Sequence, residues 1–233
     1  MSGRLASFRG PSTPTSSPVS AKNQLKSPAS PSRSTESTYH RKVRTTLQDL
    51  RSVCRTWDDL VSMDGLKAVQ KLVDARTDLD NQLSLVPDGA LPRTRVVGPK
   101  LSYMEDRIAD MDLVVSKLRK QFAKMVALVD GLEAVVAEAH KTKGWAWVHS
   151  EPLWTSWSLE KFATSISSIL HPYRRSLDQH IELANTLRPH SASFEVSRDA
   201  ITSWVEEPWL EEDGWDAKWE DLCLTEIDRW DTR

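Results

Sequence analysis

The chain has 233 residues, 39% of them hydrophobic and 27% charged, with a formal net charge of −2. This is enough for one core of roughly 190 residues behind a polar start. Two cysteines too far apart for a C-x-x-C site argue against zinc and against a disulfide scaffold, and neither an apolar run of bilayer length nor the apolar centre of a signal peptide is present, so a reducing cytoplasmic or nuclear setting is expected.

Residues 1–38 contain eleven Ser, four Thr and five Pro, and only Leu5, Phe8, Val19 and Leu25 are sizeable hydrophobes. Too little apolar surface is available there to offset ordering entropy, which predicts a disordered tail. Thr13, Ser17, Ser27 and Ser30 each precede a proline and are candidate phosphorylation points. Charge is unevenly placed. Residues 1–44 carry eight Lys or Arg against one Glu, net +7, and residues 204–233 carry three against eleven acids, net −8. A net-acidic body disfavours a dedicated nucleic-acid surface.

From Val43 the apolar residues Val43, Leu47, Leu50, Cys54, Trp57 and Val61 recur at helical spacing. The phase slips at Met63-Asp64-Gly65 and resumes through Leu66, Val69, Val73, Leu79 and Leu83, which predicts a helical arm with a kink or short break near Gly65. Pro87, Gly89, Pro92, Gly98 and Pro99 then predict an irregular loop over 86–100. Twelve apolar residues from Leu101 to Ala139 follow in unbroken three-four alternation: Leu101, Met104, Ile108, Met111, Val115, Leu118, Phe122, Met125, Val129, Leu132, Val136 and Ala139. Such a seam needs a partner surface over about 58 Å. The two arms are nearly equal in length, as in an antiparallel hairpin.

A Trp-rich connector over 145–157 leads to a third helical pattern, Leu159 to Leu187, which Pro172 should bend. After Pro189, Ser191 or Ser193 is a plausible N-cap for a shorter helix holding Val196, Ile201, Trp204 and Val205, interrupted by Glu207-Pro208. The last segment, with Trp215, Trp219, Leu222, Cys223, Ile227 and Trp230, reads as an acidic amphipathic helix. The expected fold is all-α: an antiparallel bundle of three long helices over 39–190, a disordered tail over 1–38, and an acidic Trp-rich segment over 191–233 packing on or extending from the bundle.

Local signatures of chemistry are missing. There is no phosphate-binding glycine loop, no nucleophile elbow and no H-E-x-x-H, and the six histidines form no aligned pair. No catalytic residue, metal, cofactor or small-molecule substrate is expected. Nine of the ten tryptophans fall in two clusters, and each cluster admits two readings. The rings plug helix crossings, or they form a docking patch with an acidic rim. The candidate partner-binding residues are Trp204, Trp209, Trp215, Trp219 and Trp230, with Tyr173, Arg174 and Arg175 on the third helix. The arginines either cover apolar surface with their stems or meet a carboxylate or phosphate.

The order of elements, with Trp57-Asp58-Asp59-Leu60 in the first arm, Tyr173-Arg174-Arg175-Ser176 in the third helix and Glu207-Pro208-Trp209 near the end, resembles the AIRIM-type ribosome maturation factors over about residues 47–230. The resemblance implies a small helical, non-catalytic adaptor that binds a type II AAA+ ATPase and its associated subunits, and through it meets maturing large ribosomal subunits. The alternative expectation is a coiled-coil structural subunit of a kinetochore or tethering complex, in which the seam pairs with other chains.

Overall fold

The computed structural model describes residues 36–87 and 94–230. The four proline-directed sites and the expected disorder up to residue 35 lie outside these residues. Glu36 to Thr38 belong to the fold: the Glu36 carboxylate pairs with Arg44 and accepts from Trp154 Nε1 at 3.4 Å. The tail boundary expected at 38 therefore falls too late, because short-range polarity hides these long-range partners.

Helix α1, Thr38–Asp59, buries Tyr39, Val43, Leu47, Leu50, Cys54 and Trp57 at steps of four, four, three, four and three. A π-helical turn, Leu60–Gly65, joins it to α2, Leu66–Ser84, without a break. One wide turn advances the chain by an extra residue, which accounts for the phase slip seen in the sequence. Val61 O accepts the Leu66 N–H across that turn and also accepts Trp204 Nε1 at 3.3 Å. Gly65 makes room for this indole: a Cβ there would lie 2.7 Å from Trp204 Nε1.

Helix α3, Thr94–Lys143, runs for 50 residues. It starts seven residues before Leu101, so the loop expected over 86–100 is corrected. Pro99 removes one backbone bond near the start, but Val96, Val97 and Leu101 pack against the core and hold the extra turns. The seam is filled: nine of its twelve residues are buried, and Leu101, Phe122 and Val136 are half-buried against the core. Its partners come from the same chain. Lys100 pairs with Asp78, Lys117 with Asp64 at 2.9 Å, Lys42 with Glu138 at 2.6 Å, and Tyr39 Oη meets Thr142 Oγ1 at 2.6 Å. These contacts run in opposite chain directions, so the first arm and α3 are antiparallel.

Gly144, at φ 85°, turns the chain into α4, Trp145–Ser150. The third helical pattern is realised as α5, Leu159–Ile166, a 3₁₀ turn, Ser167–Ile169, and α6, Leu170–Leu187. Pro172 falls in the first turn of α6, where a missing N–H costs little, and the 3₁₀ turn lies just before it. Helix α7, Phe194–Val205, is capped by Ser193, whose hydroxyl accepts from Val196 N at 3.3 Å. Buried Arg76 pins α2 to the α6–α7 junction, donating to Ser197 Oγ at 2.7 Å, Leu187 O at 2.8 Å and Pro189 O at 3.0 Å.

Helix α8, Pro208–Asp213, a π-helical turn, Trp215–Trp219, and α9, Glu220–Glu226, follow. Trp204, Trp215, Trp219 and Trp230 join the same core cluster as the seam. The described residues contain no strand, and one isolated bridge pairs Pro152 with Ser158. The fold is all-α, and no described helix is long and apolar enough to cross a membrane.

Candidate functional site

Three motifs far apart in the sequence meet around Glu207. Pro208 disfavours helical backbone at the residue before it, so α7 stops at Val205 and Glu207 adopts φ −120°, ψ 65° ahead of α8. Glu207 Oε1 accepts from Trp57 Nε1 at 3.0 Å and from Ser176 Oγ at 2.7 Å. The Trp57 ring meets Tyr173 edge-on, with centroids 5.4 Å apart. One carboxylate thus ties α1, α6 and the α7–α8 corner together.

Further hydrogen bonds surround this hub, although the buried Gln179 Oε1 has no partner among the described residues. Gln179 Nε2 donates to Ser203 O at 2.9 Å, and the buried His180 ring lies between Ser176 O (2.8 Å from Nδ1) and Trp204 O (3.1 Å from Nε2). Burial pushes the Cys54 thiol up to about 12, with the Tyr173 hydroxyl against it, and burial likewise raises the Tyr173 phenol above its ordinary value. Both groups therefore keep their protons near neutral pH. Asp58 differs: burial, then the charges of Glu207, Asp216 and Asp59, push its carboxyl up to about 7.

A second carboxylate anchors the connector. Glu226 accepts from Ser156 N at 2.9 Å, Ser156 Oγ at 2.6 Å and Trp157 N at 3.0 Å. Burial raises its carboxyl, but these bonds and the Lys161 charge outweigh that and hold it below the ordinary value.

The expected partner-binding residues separate into two groups. Trp204, Trp215, Trp219, Trp230 and Tyr173 are each at most 3% exposed, so these rings are core plugs and the docking role expected for them is corrected. Their amphipathic spacing carries the burial, and the same spacing would serve a docking face, which is why the sequence left both open. Trp215 stacks near Trp219 and Trp230, with centroids 6.4 and 6.3 Å away, and donates to Glu220 Oε2 at 2.7 Å. Arg51 clamps this end onto α1 through Glu220 and lies 5.6 Å from the Trp230 centroid.

Arg174, Arg175 and Trp209 remain at the surface. Arg175 lies over the half-buried Trp209 ring at 5.7 Å, and Arg174 lies 5.8 Å from the Phe122 centroid while bonding Asp178 at 3.1 Å. The guanidinium groups of these exposed arginines lie over aromatic rings, in keeping with the reading in which they cover apolar surface. In the first Trp cluster, Trp147 packs on Tyr39, and Trp154 and Trp157 pack on Phe162. Trp145 stays 67% exposed, stacked on His149 at 4.3 Å. The roles of Glu207, Gln179 and His180 as a polar hub were missed by the sequence reading; the Glu-Pro step was the one local sign of them.

No described cluster of His, Cys, Asp or Glu has the geometry to hold a metal ion. No protein-family model matches the sequence, and no curated protein is significantly similar to it.

Proposed function

We propose that this protein is a non-catalytic helical adaptor of the AIRIM type, engaging a type II AAA+ ATPase that acts on maturing large ribosomal subunits. The observation that carries this reading is the convergence of the three resemblance motifs on Glu207. Residues that interlock through side-chain bonds act as one unit, and a unit of that kind is less readily produced by chance than three separate short strings.

Arg174, Arg175 and Trp209 form the surface of that unit and are the proposed ATPase contact. Arginine and tryptophan are the side chains most often responsible for binding energy at protein interfaces. The coiled-coil reading depends on a seam open to other chains, and the seam here is occupied from within, so it draws less support.

Affinity purification of the tagged full chain from cells should recover a type II AAA+ ATPase together with pre-ribosomal proteins. The Arg174→Glu/Arg175→Glu variant should lose the ATPase while melting within about 2 °C of the parent, as surface changes do. Recovery of kinetochore or tethering subunits, or clean absence of the ATPase from the parent chain, would overturn the proposal.

A further inference from the structure

The outer faces of α1 and α3 leave a groove unfilled. Two adjoining hollows, of about 480 and 410 Å³, share Ala127 and Leu128 and extend from Thr38 to Val53 along α1 and from Lys124 to Val135 along α3. At 1.5 Å per residue the groove is about 17 to 23 Å long, which matches a helix of three to four turns. Val53, Leu128 and Val135 are half-buried on its walls, and Ala127 and Gly131 are exposed between them. The groove shares no lining residue with the Arg174, Arg175 and Trp209 surface, so this inference stands apart from the proposed ATPase contact.

Gly131 is the anomalous residue. Glycine inside an exposed helix costs about 1 kcal/mol relative to alanine. A Cβ at Gly131 would meet nothing within 4 Å, so no packing inside the chain requires its absence. Ala127 and Gly131, one turn apart, instead let a helix axis from outside approach closely. Charge identifies what kind of helix. Arg41 and Lys124, at opposite ends of the groove, make no ion pair among the described residues, while Lys42 is already engaged by Glu138 and Asp49 is the one acid in the lining. A second copy of this chain seated face to face would bring the same unpaired cations together.

We infer that the α1–α3 groove is a docking site for an amphipathic helix of another protein, which seats an apolar stripe over Ala127, Leu128 and Gly131 and places carboxylates toward Arg41 and Lys124. This is helix-in-groove recognition, with the apolar stripe supplying affinity and the flanking acids setting direction.

A photo-cross-linking residue at position 134, exposed beside the groove, tests it in cells that express the full-length chain, with position 182 on α6 as control. The expected adduct joins position 134 to a peptide of another protein that has apolar residues at helical spacing and acids on its flank. Gly131→Gln, which nothing inside the chain opposes and which improves helix propensity, should reduce that adduct at least tenfold without lowering the melting temperature. Arg41→Glu/Lys124→Glu should reduce it comparably, and neither variant should alter cross-linking from position 182. An adduct with a second copy of this chain, with nucleic acid, or with a basic or non-helical segment would overturn the inference. So would cross-linking at 134 no greater than at 182, or an adduct indifferent to Gly131→Gln.

Discussion

The Glu207 hub and the α1–α3 groove lie on the same first helix and use their residues in opposite ways. Around Glu207, buried polar groups are bonded in sequence from Trp57 to Ser176, His180 and the Trp204 carbonyl, and the aromatic rings are covered. In the groove, valine, leucine, alanine and glycine stay partly open and two cations have no counter-ion among the described residues. The difference separates residues that hold the fold from residues available to a partner. Covered rings and bonded polar groups mark the first kind here, and incomplete packing marks the second.

The largest test of this division is Trp204→Ala. It removes a fully buried indole from the π-turn pocket beside Gly65 and should cost about 3–5 kcal/mol in denaturant unfolding. A change below about 1 kcal/mol would mean that the terminal helices are not part of the core. Next, Glu207→Ala leaves Trp57 Nε1 and Ser176 Oγ without their acceptor and should cost about 2–3 kcal/mol. It also removes a like charge near Asp58, so the Asp58 carboxyl should titrate lower in this variant, measurable by carboxyl-carbon NMR.

The two shifted carboxylates carry opposite pH signs. Glu226 has a folded pKa below its unfolded value of 4.5, so its contribution is present above about pH 4.5 and is lost as pH falls through the lower folded value. Glu226→Gln should therefore cost about 1–2 kcal/mol at pH 7, with the difference from the parent shrinking below pH 4. Asp58 has a folded pKa of about 7 against 3.8, so the folded state holds its proton more tightly and stability declines as pH rises from about 4 to 7. Asp58→Asn should raise the melting temperature by about 2–4 °C at pH 8 and leave it unchanged at pH 4, the size reflecting a partly solvated group. The smallest effect belongs to the groove. Gly131→Ala should add up to about 1 kcal/mol of stability, and a loss would mean that the glycine serves packing within the chain.

Much of this fold was legible from period alone. The steps of four, three, four, three and four from Val43 to Val61 and the twelve-residue seam of α3 name their buried faces directly, and the phase slip marks the place of the π turn, although the short break expected near Gly65 is a continuous wide turn instead. The early start of α3 was not legible, because Gly98 and Pro99 argue locally for a loop while Val96 and Val97 are held by contacts distant in sequence. The candidate site was readable in part. Its motifs stood out as strings, yet nothing local says that Glu207 reaches both Trp57 and Ser176, since bonds spanning 150 and 31 residues leave no periodic trace. Nor could amphipathic spacing tell a core tryptophan from a docking one. That distinction depends on whether Arg51, Gln48 and Arg44 of α1 bind the terminal turn, as they do through Glu220, Trp230 O and Asp228 O.

The central claim is that the acidic tryptophan-rich end and the long helices form one core. Guanidinium unfolding of the full chain, followed simultaneously by far-ultraviolet circular dichroism for the helices and by tryptophan fluorescence, which reports mainly on residues 145–230, tests it directly. Superimposable transitions with one midpoint are predicted. A fluorescence change completed at lower denaturant, while helicity persists, would contradict it.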